Sequence, residues 1–186
     1  MGKRSFFPRL ALVNMVRNSR YYGPYLLSCG ALAAMYYILR FLTWNEVIQT
    51  VRGAAYLQVM MSIGCFVVAL FSTVLLLYAN SFVMKRRQKE LGLYNILGLE
   101  KRHIAALCFW ETLLCAAVVI PGGIAAGILL SKLILLLLLK LVQIPVQFGF
   151  SVSVRGVGET AALLGVLFLL ALLWNLLRLG RSRPIE

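Results

Sequence analysis

The chain has 186 residues, 61% of them hydrophobic and 13% charged, and its formal charge is +13, from 19 Lys and Arg against 6 acidic residues. Soluble domains are about 45–50% apolar and roughly 25% charged. A mean hydropathy of +0.87 therefore excludes an ordinary water-soluble domain and makes lipid the main solvent.

Residues 1–20 carry Lys3, Arg4, Arg9, Arg17 and Arg20 and no long apolar core. No cleavable signal peptide is expected, and the first apolar run should stay as an anchor. Phe6 to Arg20 reads either as an amphipathic helix lying at the inner interface or as an ordinary charged flank. About 20 apolar residues suffice to cross the hydrocarbon core as a helix, and four stretches reach that length. The first spans 21–42 and ends near Arg40 and Trp44; the second spans 54–84 without a charge. A basic loop, 85–103, follows. The third spans 104–132 with an extension to about 140, the fourth spans 158–178, and 179–186 form a tail.

The third run is too long for a simple crossing, because Ile104 to Leu139 would extend about 54 Å as a helix. Pro121, Gly122 and Gly123 lie near its middle, and proline removes a backbone donor, so a kink is expected there. The crossing should end around Ser131 to Lys132. Leu133 to Leu139 would then extend above the membrane or turn along its surface, and Pro145 and Gly149 mark the following turn.

Lys and Arg beside the spans set the orientation. One side holds Lys3, Arg4, Arg9, Arg17, Arg20, Lys85, Arg86, Arg87, Lys89, Lys101, Arg102, Arg178, Arg181 and Arg183; the other holds Arg40, Arg52, Lys132, Lys140 and Arg155. Fourteen against five places both termini and the 85–103 loop inside. This bias accounts for the basicity, so the bilayer is a partner and nucleic acid is not. Tyr36, Tyr37 and Trp44 fall near the outer interface.

The search for catalytic residues finds little. Cys29, Cys65, Cys108 and Cys115 lie in apolar runs without ligand spacing, which suits small packing residues rather than a metal site or disulfides. The single histidine, His103, sits beside Lys101 and Arg102 as a loop residue. The chain has no Asp, and no GxxxxGK[ST] phosphate loop is present. No enzyme activity, metal or cofactor is expected. Glu111 reads as the one carboxylate within a span; intramembrane charge is costly, so it should snorkel, pair with a basic residue such as Arg20, or act in mechanism. Gly123 with Gly127, and Gly30 with Ala34, are small-xxx-small pairs of the kind that lets helices approach closely.

The segment NSFVMKRRQKELGLYNILGLEKRH, Asn80 to His103, is the informative one. Arg86 and Glu90 can pair at i, i+4. Gly92 and Gly98 bracket a five-residue apolar core and permit sharp changes of direction, and Glu100 suits the start of the next helix. A short amphipathic helix here would lie on headgroups or enter a groove on a partner.

KRRQKELGLYNILGLEKRHIA resembles the loop after the second helix of FtsX-like ABC transporter permeases, of the bacitracin and antimicrobial-peptide resistance type. LALVNMVRNSRYYGPYLLSCGALAAMYYI resembles their first helix, and FWETLLC continues the match into the third span. The resemblance implies an all-α membrane protein of the bacterial cytoplasmic membrane, with four transmembrane helices and a coupling helix between the second and third. It implies a partner ATPase, a second FtsX-like permease half and a membrane histidine kinase as partners. The activity implied is movement or extraction of peptide antibiotics or their lipid-linked targets. Leu91, Leu93, Tyr94, Leu97 and Leu99 would be the apolar contacts with the ATPase, and Lys85, Arg86, Arg87 and Glu90 the polar ones. The family's permeases are longer, with a second half and a large extracellular domain, so the resemblance is to an N-terminal half. The competing expectation is a small four-helix adaptor that binds a sensor kinase or another permease without transport.

Overall fold

In hydrocarbon no water satisfies a backbone amide, so long apolar runs fold as uninterrupted helices. The computed structural model describes residues 3–49, 53–96, 101–141 and 152–181. Its elements are α1 (Lys3–Arg17), α2 (Ser19–Thr43), α3 (Glu46–Gln49), α4 (Ala54–Ile96), α5 (Lys101–Leu141) and α6 (Val154–Arg181). Among the described residues, four segments are long and apolar enough to cross a membrane: Ser19–Thr43, Ala54–Arg87, Arg102–Leu138 and Val154–Arg178.

Helix starts follow local chemistry. The Asn18 carbonyl accepts from the amides of Tyr21 and Tyr22 at 2.9 and 3.2 Å, so α1 and α2 are separated by one residue. Gly53 adopts φ +90 before α4, a backbone that glycine enters without a Cβ clash. Ser153 caps α6: its Oγ accepts from the Gly156 amide at 3.1 Å.

Three stretches that the sequence left open are helical. α1 makes the first 20 residues mostly helical. α5 runs 41 residues with Pro121 inside it and does not stop at Lys132; Leu133 to Leu141 continue the same helix. α4 runs 43 residues through Gly92, so Lys85 to Ile96 form its end. In α5 the weak position, Pro121, is outvoted by its neighbours. A glycine costs about 1 kcal/mol in a helix, and a proline about 3. Leaving several backbone groups unpaired costs more.

By contacts the chain divides into two compact units, and α2, α4, α5 and α6 each contribute to both. The first comprises Met1–Leu27, Val74–Val118 and Gly165–Glu186; the second comprises Ser28–Thr73 and Val119–Leu164. The second unit is built around buried Tyr37, Phe41, Leu42, Ile48 and Ile124, with Leu135 and Leu138 of the α5 extension packed against them. This packing holds the extension as helix.

The small residues do their work here. A Cβ on Gly123 would meet Ala33 and the Gly30 carbonyl oxygen, the latter at 3.0 Å; one on Gly127 would lie 3.0 Å from the Tyr37 ring and 3.2 Å from the Ala34 Cα. The two small-xxx-small pairs of the sequence thus face each other across α2 and α5. Gly122, one residue away, has nothing within 4 Å of its Cβ position. Replacing Gly127 by Val should therefore lower stability by about 1–3 kcal/mol, as overpacking does, whereas Gly122→Val should change it little. Thermal unfolding of the detergent-purified variants checks the contrast.

Candidate functional site

The first unit holds the buried polar side chains that its spans cannot leave unpaired. On α4, Asn80, Val83 and Arg87 recur at i, i+3, i+7 and are all buried; on α5, Ile104, Leu107, Cys108, Glu111 and Cys115 share a second buried stripe. These two faces bring Arg87 to Glu111, 24 residues apart in sequence. The two form a salt bridge, Arg87 Nη1 to Glu111 Oε2, with the residues only 1% and 4% exposed. Arg87 Nη1 also donates to Tyr22 Oη at 2.8 Å, and the Tyr22 hydroxyl donates to Glu111 Oε2 at 3.3 Å. One guanidinium thereby ties α2, α4 and α5 together.

Two further features surround the pair. Asn80 and Asn175 exchange amide hydrogen bonds of 2.9 and 3.1 Å, joining α4 to α6. A cavity of about 20 Å³, room for about one water, is lined by Tyr22, Asn80, Glu111, Thr112 and Asn175 among others. Glu111 Oε1 is buried without a hydrogen-bond partner among the described residues.

These placements revise several expectations. Glu111 is paired, but with Arg87 rather than Arg20. Arg87 therefore turns inward, because a buried carboxylate claims its charge. Lys85 and Arg86 are exposed, Arg86 lying over the rings of Phe82 and Tyr21 at 5.2 and 6.0 Å. Glu90, Leu91, Leu93 and Tyr94 are on the helical end of α4, with side chains outside the described residues; Leu97 and Leu99 lie outside the described residues altogether. Pro121 and Gly122 are exposed on α5, and Gly123 is buried. All four cysteines are buried and none is disulfide-bonded. No group of three or more His, Cys, Asp or Glu could hold a metal among the described residues.

Glu159 is a second carboxylate within a candidate span, in the second unit. It pairs with Arg40 at 2.9 Å and with Arg155 at 3.2 Å. Sequence reading passed over it because it stands one turn from the start of α6. The available signal was Arg155 four residues before it, an i, i+4 ion pair.

Removing one partner of a buried pair strands the other, at about 3–5 kcal/mol. Arg87→Leu or Glu111→Leu alone should lower stability by that order. The double substitution should recover most of it, since two apolar side chains leave no charge behind. Detergent thermal unfolding of the four proteins checks this cycle.

The arrangement braces helices and carries no nucleophile with its base, so comparison with known proteins becomes informative. The model of the FtsX-like permease C-terminal family matches residues 62–184. The chain is 30% identical over 171 residues to the bacitracin export permease protein BceB of Bacillus subtilis (strain 168), which covers 90% of this chain and 26% of that protein. It is 26% identical over 179 residues to the uncharacterized ABC transporter permease YvcS of the same organism, covering 95% of this chain and 27% of that one. The BceB protein of Halalkalibacterium halodurans is 28% identical over 172 residues, covering 90% and 26%. The chain thus spans about a quarter of the length of the curated relatives it matches. With most of its length inside the family model and four helices fit to cross a bilayer, this multi-pass membrane protein belongs to the FtsX-like permease family.

Proposed function

We propose that this chain is the N-terminal transmembrane half of an ABC-type permease that serves resistance to peptide antibiotics such as bacitracin. It transmits force from ATP hydrolysis on a partner ATPase to the extraction or export of the antibiotic or its lipid-linked target. A second FtsX-like half completes the permease, and a membrane histidine kinase is a further partner. The termini and the 85–103 segment face the cytoplasm, on the Lys and Arg bias alone.

One observation carries the reading. The basic, apolar-cored end of α4 is one helix with a membrane span, and its base is tied by Arg87 to α2 and α5. A helix transmits displacement along its axis. A push on Leu91, Leu93 or Tyr94 therefore arrives at Arg87 and is shared among three helices.

Replacing Leu93 and Leu97 together by Asp should abolish co-purification with the cognate ATPase, while the chain still inserts in the membrane. Undiminished binding by that variant would overturn the coupling assignment. Orientation has its own check. A reporter active only outside the cytoplasm should be silent when fused after Gly98 and active when fused after Gly149, and the opposite pattern would reverse the topology.

A further inference from the structure

The second unit contains a charged cluster that the coupling mechanism does not use. Arg40 stands in the last turn of α2 and Arg155 in the first turn of α6, so both lie at ends of candidate membrane spans. A single carboxylate serves both. Arg40 Nε contacts Glu159 Oε2 at 2.9 Å, and Arg155 Nε donates to Glu159 Oε1 at 3.2 Å. Arg40 Nε also donates to the Tyr36 hydroxyl at 3.1 Å. The Arg155 guanidinium stacks on the Trp44 ring, 3.6 Å from its centroid, and the Trp44 indole N–H donates to Glu159 Oε2 at 3.4 Å.

Two features of this cluster bear on what it binds. Among the described side chains, two guanidiniums against one carboxylate leave one net positive charge. Both arginines are fixed through Nε, and their terminal amino groups make no hydrogen bond among the described residues. Fixed guanidinium donors suit a tetrahedral phosphate, which accepts paired N–H bonds. The Arg155 side chain is 65% exposed and that of Arg40 24%, so a ligand reaches the pair from the Arg155 side. The start of α6 adds backbone dipoles that favour an anion. Trp and Tyr at the end of a span place the cluster at headgroup depth.

We propose that Arg40 and Arg155, oriented by Glu159 and Trp44, form a binding site for a phosphate group, supplied by the headgroup of a membrane phospholipid. The site holds that phosphate beside the junction of α2 and α6 and fixes the depth of the second unit in the bilayer. It does so whichever ATPase or second half the chain joins, so it stands or falls apart from the coupling role.

The chain contains three Trp; with Trp110 and Trp174 replaced by Phe, Trp44 alone reports the site. This protein, in neutral-detergent micelles, is titrated with a phospholipid carrying a quencher on its headgroup. Quenching of Trp44 should saturate, and inorganic phosphate in large excess should not reverse it. Arg40→Gln with Arg155→Gln should weaken the apparent affinity at least about tenfold, the loss of a charge-assisted hydrogen bond or more. Glu159→Gln, which removes the competing carboxylate and keeps both arginines, should tighten it, a gain that misfolding does not produce. Equal affinity in the double variant, or no tightening by Glu159→Gln, overturns the site. Displacement of the lipid by inorganic phosphate overturns the lipid as its ligand.

Discussion

Lipid does not drive helices together as water does. Acyl chains solvate leucine as well as another leucine would, so association in a bilayer rests on close packing and on polar groups that must find partners. This accounts for a surface that would be untenable in water. Tyr56, Phe66, Phe71, Leu129, Leu133 and Leu177 are all more than half exposed, and nothing about them needs correction in hydrocarbon. The residues that hold the helices are small or polar. Gly123 and Gly127 seat α5 on Gly30, Ala33, Ala34 and Tyr37 in one unit. In the other, Arg87, Glu111, Tyr22, Asn80 and Asn175 join α2, α4, α5 and α6.

The two devices differ in what they specify. A glycine seam gains dispersion contact over many atoms and tolerates small sliding. A buried ion pair has a narrow geometry, because a guanidinium moved away from its carboxylate leaves two uncompensated charges. The pair is thus better suited to fixing the register of α4 against α5 than to adding stability, since two apolar residues in its place would do as well or better. The Asn80–Asn175 exchange acts the same way at smaller cost, because neutral amides lose less when they part.

The spans were legible because hydropathy and length decide them, and the seam was visible as two spaced pairs of small residues. Glu111 stood out as a carboxylate in an apolar run. Its partner did not, because Arg87 lies beside Lys85 and Arg86 in a basic stretch that topology already explained. Only the helical register singles it out, two turns after Asn80 on the same face. The kink expected at Pro121 rests on a lost backbone donor, which water compensates and hydrocarbon does not. Where no solvent partner exists the ladder is worth keeping, and α5 continues as helix on both sides of Pro121.

The length of α4 bears on the proposed coupling. Its 43 residues extend about 65 Å, against about 30 Å of hydrocarbon. The excess lies partly beyond Arg87, where the apolar span ends. Leu93 stands six residues further, about 9 Å along the axis. A flexible joint at Gly92 would dissipate a displacement applied there, whereas a continuous helix delivers it to Arg87. Arg87 cannot yield alone, because parting from Glu111 and Tyr22 strands a buried charge. The cheapest response is for α2 and α5 to move with α4, which turns a local push on one helix end into a concerted movement of three spans.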